Sequence, residues 1–118
     1  MSEALDAAVA RHRAGDVEGA RRLARAALDH SPNDSALLHF LGMVEQRAGQ
    51  SATAQALFER AVAADPGYAP ALVSLARLLA QAEDWPGLAR LGQRAPPGAL
   101  GDEFLGLRAR ALNQTGEH

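Results

Sequence analysis

An all-α fold of stacked helix pairs is predicted by three observations. The first is a fixed period: Gly15, Asp16, Ala20, Ala24, Ala27 and Pro32 recur 34 residues later as Gly49, Gln50, Ala54, Phe58, Ala61 and Pro66. A constant period of this length marks repeated supersecondary units that bury their apolar faces against one another. The second is composition: the chain is 47% apolar but only 4% aromatic, and alanine is abundant. Small residues let helices approach closely, whereas alanine is depleted in strands. The third is that apolar residues recur at helical spacing between short turns rich in Gly, Pro, Asp and Asn.

The elements follow in order. Residues 3–14 carry Leu5, Ala8 and Val9 at helical spacing and end at Gly15-Asp16. Asp16 is suited to cap the next helix. That helix, 17–30, sets Val17, Ala20, Leu23, Ala24, Ala27 and Leu28 on one face. Ser31-Pro32-Asn33-Asp34 ends it, because the residue before a proline is pushed out of the helical region. Helices over 35–48 and 51–64 repeat the unit, which Asp65-Pro66-Gly67 closes. A fifth helix spans roughly 69–82. Glu83-Asp84-Trp85-Pro86 makes the next turn, with Pro86 in a first helical turn where its missing N–H costs nothing. The sixth helix runs to about Arg94, and the side-chain pattern loses register after Trp85. Residues 95–101, with Pro96-Pro97, cannot continue a helix. A seventh helix fits 102–114, capped by Asp102.

At 118 residues, one domain is expected. The formal net charge of −2 creates no field that would gather nucleic acid or anionic lipid. All 12 basic residues are arginine, so every cation can fork onto a carboxylate. There is no cysteine, which excludes disulfides and thiolate metal sites. The first residues have neither the basic nor the apolar region of a signal peptide, and no apolar run approaches a membrane span. A cytoplasmic location is the resulting expectation.

These residues resemble the tetratricopeptide repeat (TPR), whose 34-residue motif wants Leu at position 7, Gly or Ala at 8, Ala at 20, an aromatic at 24, Ala at 27 and Pro at 32, with bulky residues at 4 and 11. Residues 1–34 supply Ala8, Ala20, Ala27 and Pro32 but depart at Ala4, Ala7, Arg11 and Ala24. Residues 35–68 match best, through Leu38, Leu41, Gly42, Ala54, Phe58, Ala61 and Pro66, with Glu45 the exception. Residues 69–101 form a degenerate repeat: Leu72, Leu75, Ala76 and Leu79 fit, but Leu88 and Gly92 stand where Ala and an aromatic are expected. Residues 102–118 look like a half repeat, with Leu105, Ala109 and Leu112. The resemblance implies a right-handed α-α superhelix of about three helix-turn-helix repeats plus one terminal helix. It also implies protein binding without chemistry of its own, although fold alone does not assign an activity.

In this family the first helix of each repeat lines the concave face. The resemblance therefore places His12, Arg13, His39, Met43, Arg47, Val73, Arg77 and Arg110 in a peptide groove. Gln46, Gln81, Leu5 and Val9 lie at groove positions as well. Arg13, Arg47, Arg77 and Arg110 face only one acid there, Glu103, although acids outnumber bases overall. The expected partner is a protein or peptide segment carrying carboxylates, held by arginine forks and by contact with the adaptable Met43. The alternative is that the arginines only solvate an empty face. The family's clamp for chaperone C-termini needs Lys, Asn and Arg where this chain has Leu5, Val9, Phe40, Pro70 and Ser74, which excludes that subtype.

Other signals take plainer readings. His12, His30, His39 and His118 have no metal-ligand spacing, and no cofactor or metal is expected. Arg21, Arg22 and Arg25 read as a solvated convex face, since nucleic-acid binding wants a basic or aromatic surface. Ser51 reads as a helix cap, not a nucleophile, because a helix and not a strand precedes it. Trp85 and Phe104 read as plugs beside a shortened helix. Two further functional readings stay open. The chain could be the N-terminal repeat region of a larger bacterial enzyme, of transferase or hydroxylase type. It could also self-associate through terminal helices, as a homodimer burying Phe104, Leu105, Leu107 and Leu112.

Overall fold

A computed structural model describes residues 3–94, and within them every regular element is a helix. The order is α1 (Glu3–Arg13), α2 (Val17–His30), α3 (Ser35–Arg47), α4 (Ser51–Ala64), α5 (Ala69–Gln81) and α6 (Trp85–Arg94). They form three antiparallel pairs stacked in sequence order: a right-handed superhelix of helix-turn-helix repeats, as the sequence predicts. The expected seventh helix and Arg110 lie outside the described residues.

The turn inside each pair is the same device three times. The chain leaves the first helix through one left-handed residue: Gly15 (φ 88°), Gly49 (φ 86°) and Glu83 (φ 57°). The next amide then reaches back five residues. Asp16 N–H donates to the Arg11 carbonyl, Gln50 to Glu45 and Asp84 to Leu79, each at 2.9 Å. This is the Schellman closure, which satisfies carbonyls that the helix end would otherwise leave bare. Two of the three turns then cap the following helix. Asp16 accepts from the Gly19 amide at 2.9 Å, and Asp84 from the Gly87 amide at 3.0 Å. The Gly19 amide, aided by Arg11, holds the Asp16 carboxyl below its ordinary range. In the middle turn Gln50 occupies the cap position without a side-chain bond, and Ser51 is the first helical residue. The expected Ser51 cap is therefore corrected: the helix begins one residue earlier than a Ser51 cap requires.

Glu83 is the only non-glycine residue with positive φ among those described. A Cβ in that region costs about 1–2 kcal/mol. Glu83→Gly is therefore expected to raise the unfolding free energy by about 1 kcal/mol, after allowing for the extra chain entropy of glycine. Urea denaturation followed by circular dichroism checks this.

The core explains the alanine content. Ala8, Ala20, Ala24, Ala54, Ala61 and Ala71 are fully buried, and the volume between the helices is filled by Leu37, Leu38, Phe58, Leu72, Leu88 and Leu91. In the third pair the bulk moves by one turn. Leu88 is fully buried where the earlier repeats bury Ala20 and Ala54, and Gly92 stands where the second repeat has Phe58. The sequence pattern breaks at Trp85, but the backbone does not: α6 starts at the same offset as α2 and α4. Trp85 packs against the core as expected. Val17, predicted to face inward, is instead exposed at the start of α2.

The stack has two unlike sides. The backbone of α1 comes close to α3, and that of α3 to α5, whereas α2 and α4 do not approach each other in this way. The first helices of the pairs thus line the inner side, and the second helices are spread along the outer one.

Candidate functional site

The inner side of α3 and α5 gathers several of the residues expected in a groove. Met43, Gln46 and Arg47 from α3 meet Ser74, Arg77 and Gln81 from α5 around a pocket of about 230 Å³. Helical geometry places them together. Positions 9, 12 and 13 of α3 lie on one face, and positions 6, 9 and 13 of α5 answer from the next repeat. The lining contains two guanidinium groups, two amides, a hydroxyl and a thioether, and no carboxylate. Val73 is half-buried on α5 and does not line this pocket.

Beside the pocket, His39 Nε2 and Ser74 Oγ are 2.8 Å apart, which ties α3 to α5 across the inner face. The imidazole is half-buried, with its ring centroid 5.6 Å from Phe58 and 6.0 Å, edge-on, from Tyr68. Burial lowers the pKa of His39 from its ordinary 6.5. Burial also raises that of Tyr68, helped by the charges of Asp34 and Asp65. The folded chain thus favours neutral His39, while the unfolded chain takes up a proton near pH 6.5. Its contribution to stability is fully present above pH 6.5 and declines as the pH falls through that value toward the lower folded pKa. Thermal unfolding measured between pH 8 and 5 is expected to show this decline, and His39→Asn to flatten it.

The remaining predicted residues are placed elsewhere. His12 packs edge-on against Phe40, with ring centroids 6.0 Å apart, one repeat away from the pocket. Arg13 is exposed at the end of α1, in a separate hollow of about 430 Å³ shared with Leu5, Asp6, Val9 and Ala10. An acid, Asp6, therefore shares the hollow of Arg13. No cluster able to hold a metal ion occurs among the described residues. Every buried side-chain nitrogen or oxygen among them has a partner, so no orphaned interior group marks a hidden site.

The outer side departs from the sequence reading. Arg21 does not solvate the convex face. Its Nε donates to Glu45 Oε1 at 2.5 Å, and it also pairs with Glu18. The Glu45 side chain is 5% exposed and that of Arg21 16%, and Arg25 approaches the same carboxylate at 3.8 Å. Glu45, the one departure from the motif in the second repeat, is thus half of a buried ion pair joining α2 to α3. A larger cavity of about 640 Å³ opens on this side between α2 and α4.

No family model matches the sequence. The chain is 36% identical over 88 residues to the protein named "Probable biofilm formation methyltransferase WspC" of Pseudomonas aeruginosa; the match covers 71% of this chain and 21% of that protein. The chain therefore spans about a fifth of that relative's length. Among solved structures, an O-GlcNAc transferase mutant of Thermobaculum terrenum superposes with a TM-score of 0.66 at 29% identity, covering 92% of this chain and 21% of that one. The Yersinia enterocolitica type III secretion translocator chaperone SycD gives a TM-score of 0.65 at 21% identity, covering 97% and 79%. These structures share the TPR-like stack of helix pairs. No helix among the described residues is long and apolar enough to cross a membrane.

Proposed function

We propose that this chain is a non-catalytic protein-interaction module that holds a carboxylate-bearing peptide segment along the inner face of the superhelix. The observation that carries this reading is the α3–α5 pocket, where Arg47 and Arg77 stand with Gln46, Gln81, Ser74 and Met43 and no carboxylate contributes to the lining. At about 230 Å³ it is sized for one side chain rather than a metabolite, since ligand cavities run to about 300–1,000 Å³. The arginines supply charge-assisted contacts to a carboxylate. The glutamines offer both donors and acceptors to a peptide backbone, and Met43 gives adaptable apolar contact. His12, Phe40 and Arg13 would extend the track toward α1.

The test is a titration of the whole chain with two labelled, capped peptides, one alternating Glu and Leu and the other alternating Gln and Leu, read by fluorescence anisotropy. The acidic peptide is expected to bind at least about 10-fold more tightly, the worth of one charged hydrogen bond. Arg47→Glu is expected to abolish the preference. Equal binding of both peptides by the wild-type chain would sink the reading.

A second reading draws on the comparisons. Two of the similar proteins carry enzyme names, and this chain corresponds to about a fifth of each. On that reading the module serves a transferase in the same polypeptide, presenting its protein substrate or a partner. Immunoblotting of the native host separates the two: a band near 12.4 kDa supports the free-standing module, and a several-fold larger one supports the enzyme-linked form.

A further inference from the structure

We propose that the outer groove between α2 and α4 is a second docking site, built for a helical segment of a partner protein that presents a leucine-like side chain beside a carboxylate. The groove exists because the backbones of α2 and α4 do not meet, while α3 lies behind both. Its floor is Leu28 of α2, Leu41 of α3 and Leu57 of α4. Leu28 and Leu57 keep the largest residual exposure of all the core residues, 8% and 7%, and the cavity they border is where it shows. At about 640 Å³ the space falls within the range of ligand-sized cavities, nearly three times the inner pocket.

The rim sets the chemistry of the occupant. Arg25 and Arg60 stand along it with a single acid, Asp29. Arg25 is weakly engaged: its side chain is 60% exposed, and its nearest carboxylate, Glu45 at 3.8 Å, is already held by Arg21 at 2.5 Å. Arg60 makes only a long 3.4 Å bond to the Pro32 carbonyl. Two guanidinium groups over an apolar floor suit an anionic side chain adjoining an aliphatic one. Asp29 polarises the groove, so that an amide or cationic donor on the partner fits its end. Each flanking helix has 14 residues, or about 21 Å, so a partner helix of similar length can lie between them.

The experiment uses the full chain with methyl-labelled leucine and methionine, read by heteronuclear NMR. The probe is a capped, alanine-based helical peptide of about 14 residues, matched to the groove, with Leu and Glu one turn apart, set beside its Gln counterpart. The Glu peptide is expected to shift the Leu28, Leu41 and Leu57 methyls saturably. Arg60→Glu should weaken that response about 10-fold. Thr53→Trp, which fills the groove from an exposed position, should remove it, and Arg47→Glu on the inner face should leave it unchanged. The proposal is overturned if the shifts appear at Met43 instead, if they survive Thr53→Trp, or if no saturable shift occurs at the three leucines. It is equally overturned if these methyls shift with protein concentration alone, which would give the groove to a second copy of the chain.

Discussion

Glu45→Ala is expected to lower the unfolding free energy by about 2–3 kcal/mol. Breaking a buried pair by removing one partner costs about 3–5 kcal/mol, because the other charge is stranded away from water. Here the cost sits at or below the low end, since Arg21 keeps Glu18 and is 16% exposed. The sign reverses when both partners go. A hydrocarbon pair of similar volume often matches or exceeds a buried ion pair, and the third repeat already places Leu79 at the position of Glu45. The Arg21→Leu, Glu45→Leu double variant is therefore expected to lie within about 1 kcal/mol of the wild type. Urea denaturation of the wild type, both single variants and the double variant measures this. A Glu45→Ala variant as stable as the wild type would show that the carboxylate is not buried in solution.

Phe58→Ala is expected to cost about 3–5 kcal/mol, the range for emptying a buried aromatic site. The ring is fully buried between α3 and α4, and its space is provided by Gly42. A Cβ on Gly42 would lie 2.5 Å from Phe58 Cε1 and 2.7 Å from Cδ1. Two effects then compete in Gly42→Ala. Alanine gains about 1 kcal/mol of helix propensity over glycine, while overpacking a filled core costs about 1–3 kcal/mol. Phe58 has no solvent to retreat into, so the steric cost wins and the variant is destabilised by about 1–2 kcal/mol. Combined with Phe58→Ala, the same Gly42→Ala should recover stability, because the first repeat buries Ala8 and Ala24 at these positions. A double-mutant cycle is expected to return a favourable coupling above about 0.5 kcal/mol. Strict additivity would mean that the two residues do not share one space. Phe58 also lies under His39, so its truncation should loosen the inner face as well as the core.

Much of the backbone was legible because each repeat spells it locally. Gly15 and Gly49 mark the turns inside the pairs, Asp16 marks a cap, and Pro32 and Pro66 mark stops, at one period. What depends on contact between repeats was harder to read. The His39–Ser74 bond spans 35 residues, one more than the period, so aligning the repeats column by column separates its partners. Arg21 and Glu45 come from opposite halves of adjacent repeats, and each read as an exception or a solvated charge until the fold brought them together. Most of the inner pocket was legible: Met43, Gln46, Arg47, Arg77 and Gln81 sit at groove positions, whereas Ser74 entered only as a clamp position that this chain does not fill. The outer groove had no sequence signal at all, since it arises from two helices that fail to touch.

The buried pair also makes the stack's two junctions thermally unlike. In a repeat array each interface contributes its own nearest-neighbour free energy. The junction between the first and second repeats includes a charged clasp, Arg21 with Glu45, whose dehydration penalty shrinks on heating. One period on, the same two places hold Gln55 and Leu79, which cannot form an ion pair. That junction leans on hydrocarbon burial, whose driving force fades toward low temperature. Heating, by contrast, strengthens the clasp while hydrocarbon burial levels off, so a near-symmetric array acquires, when warmed, a preferred end from which to open: the second junction, which has no such pair.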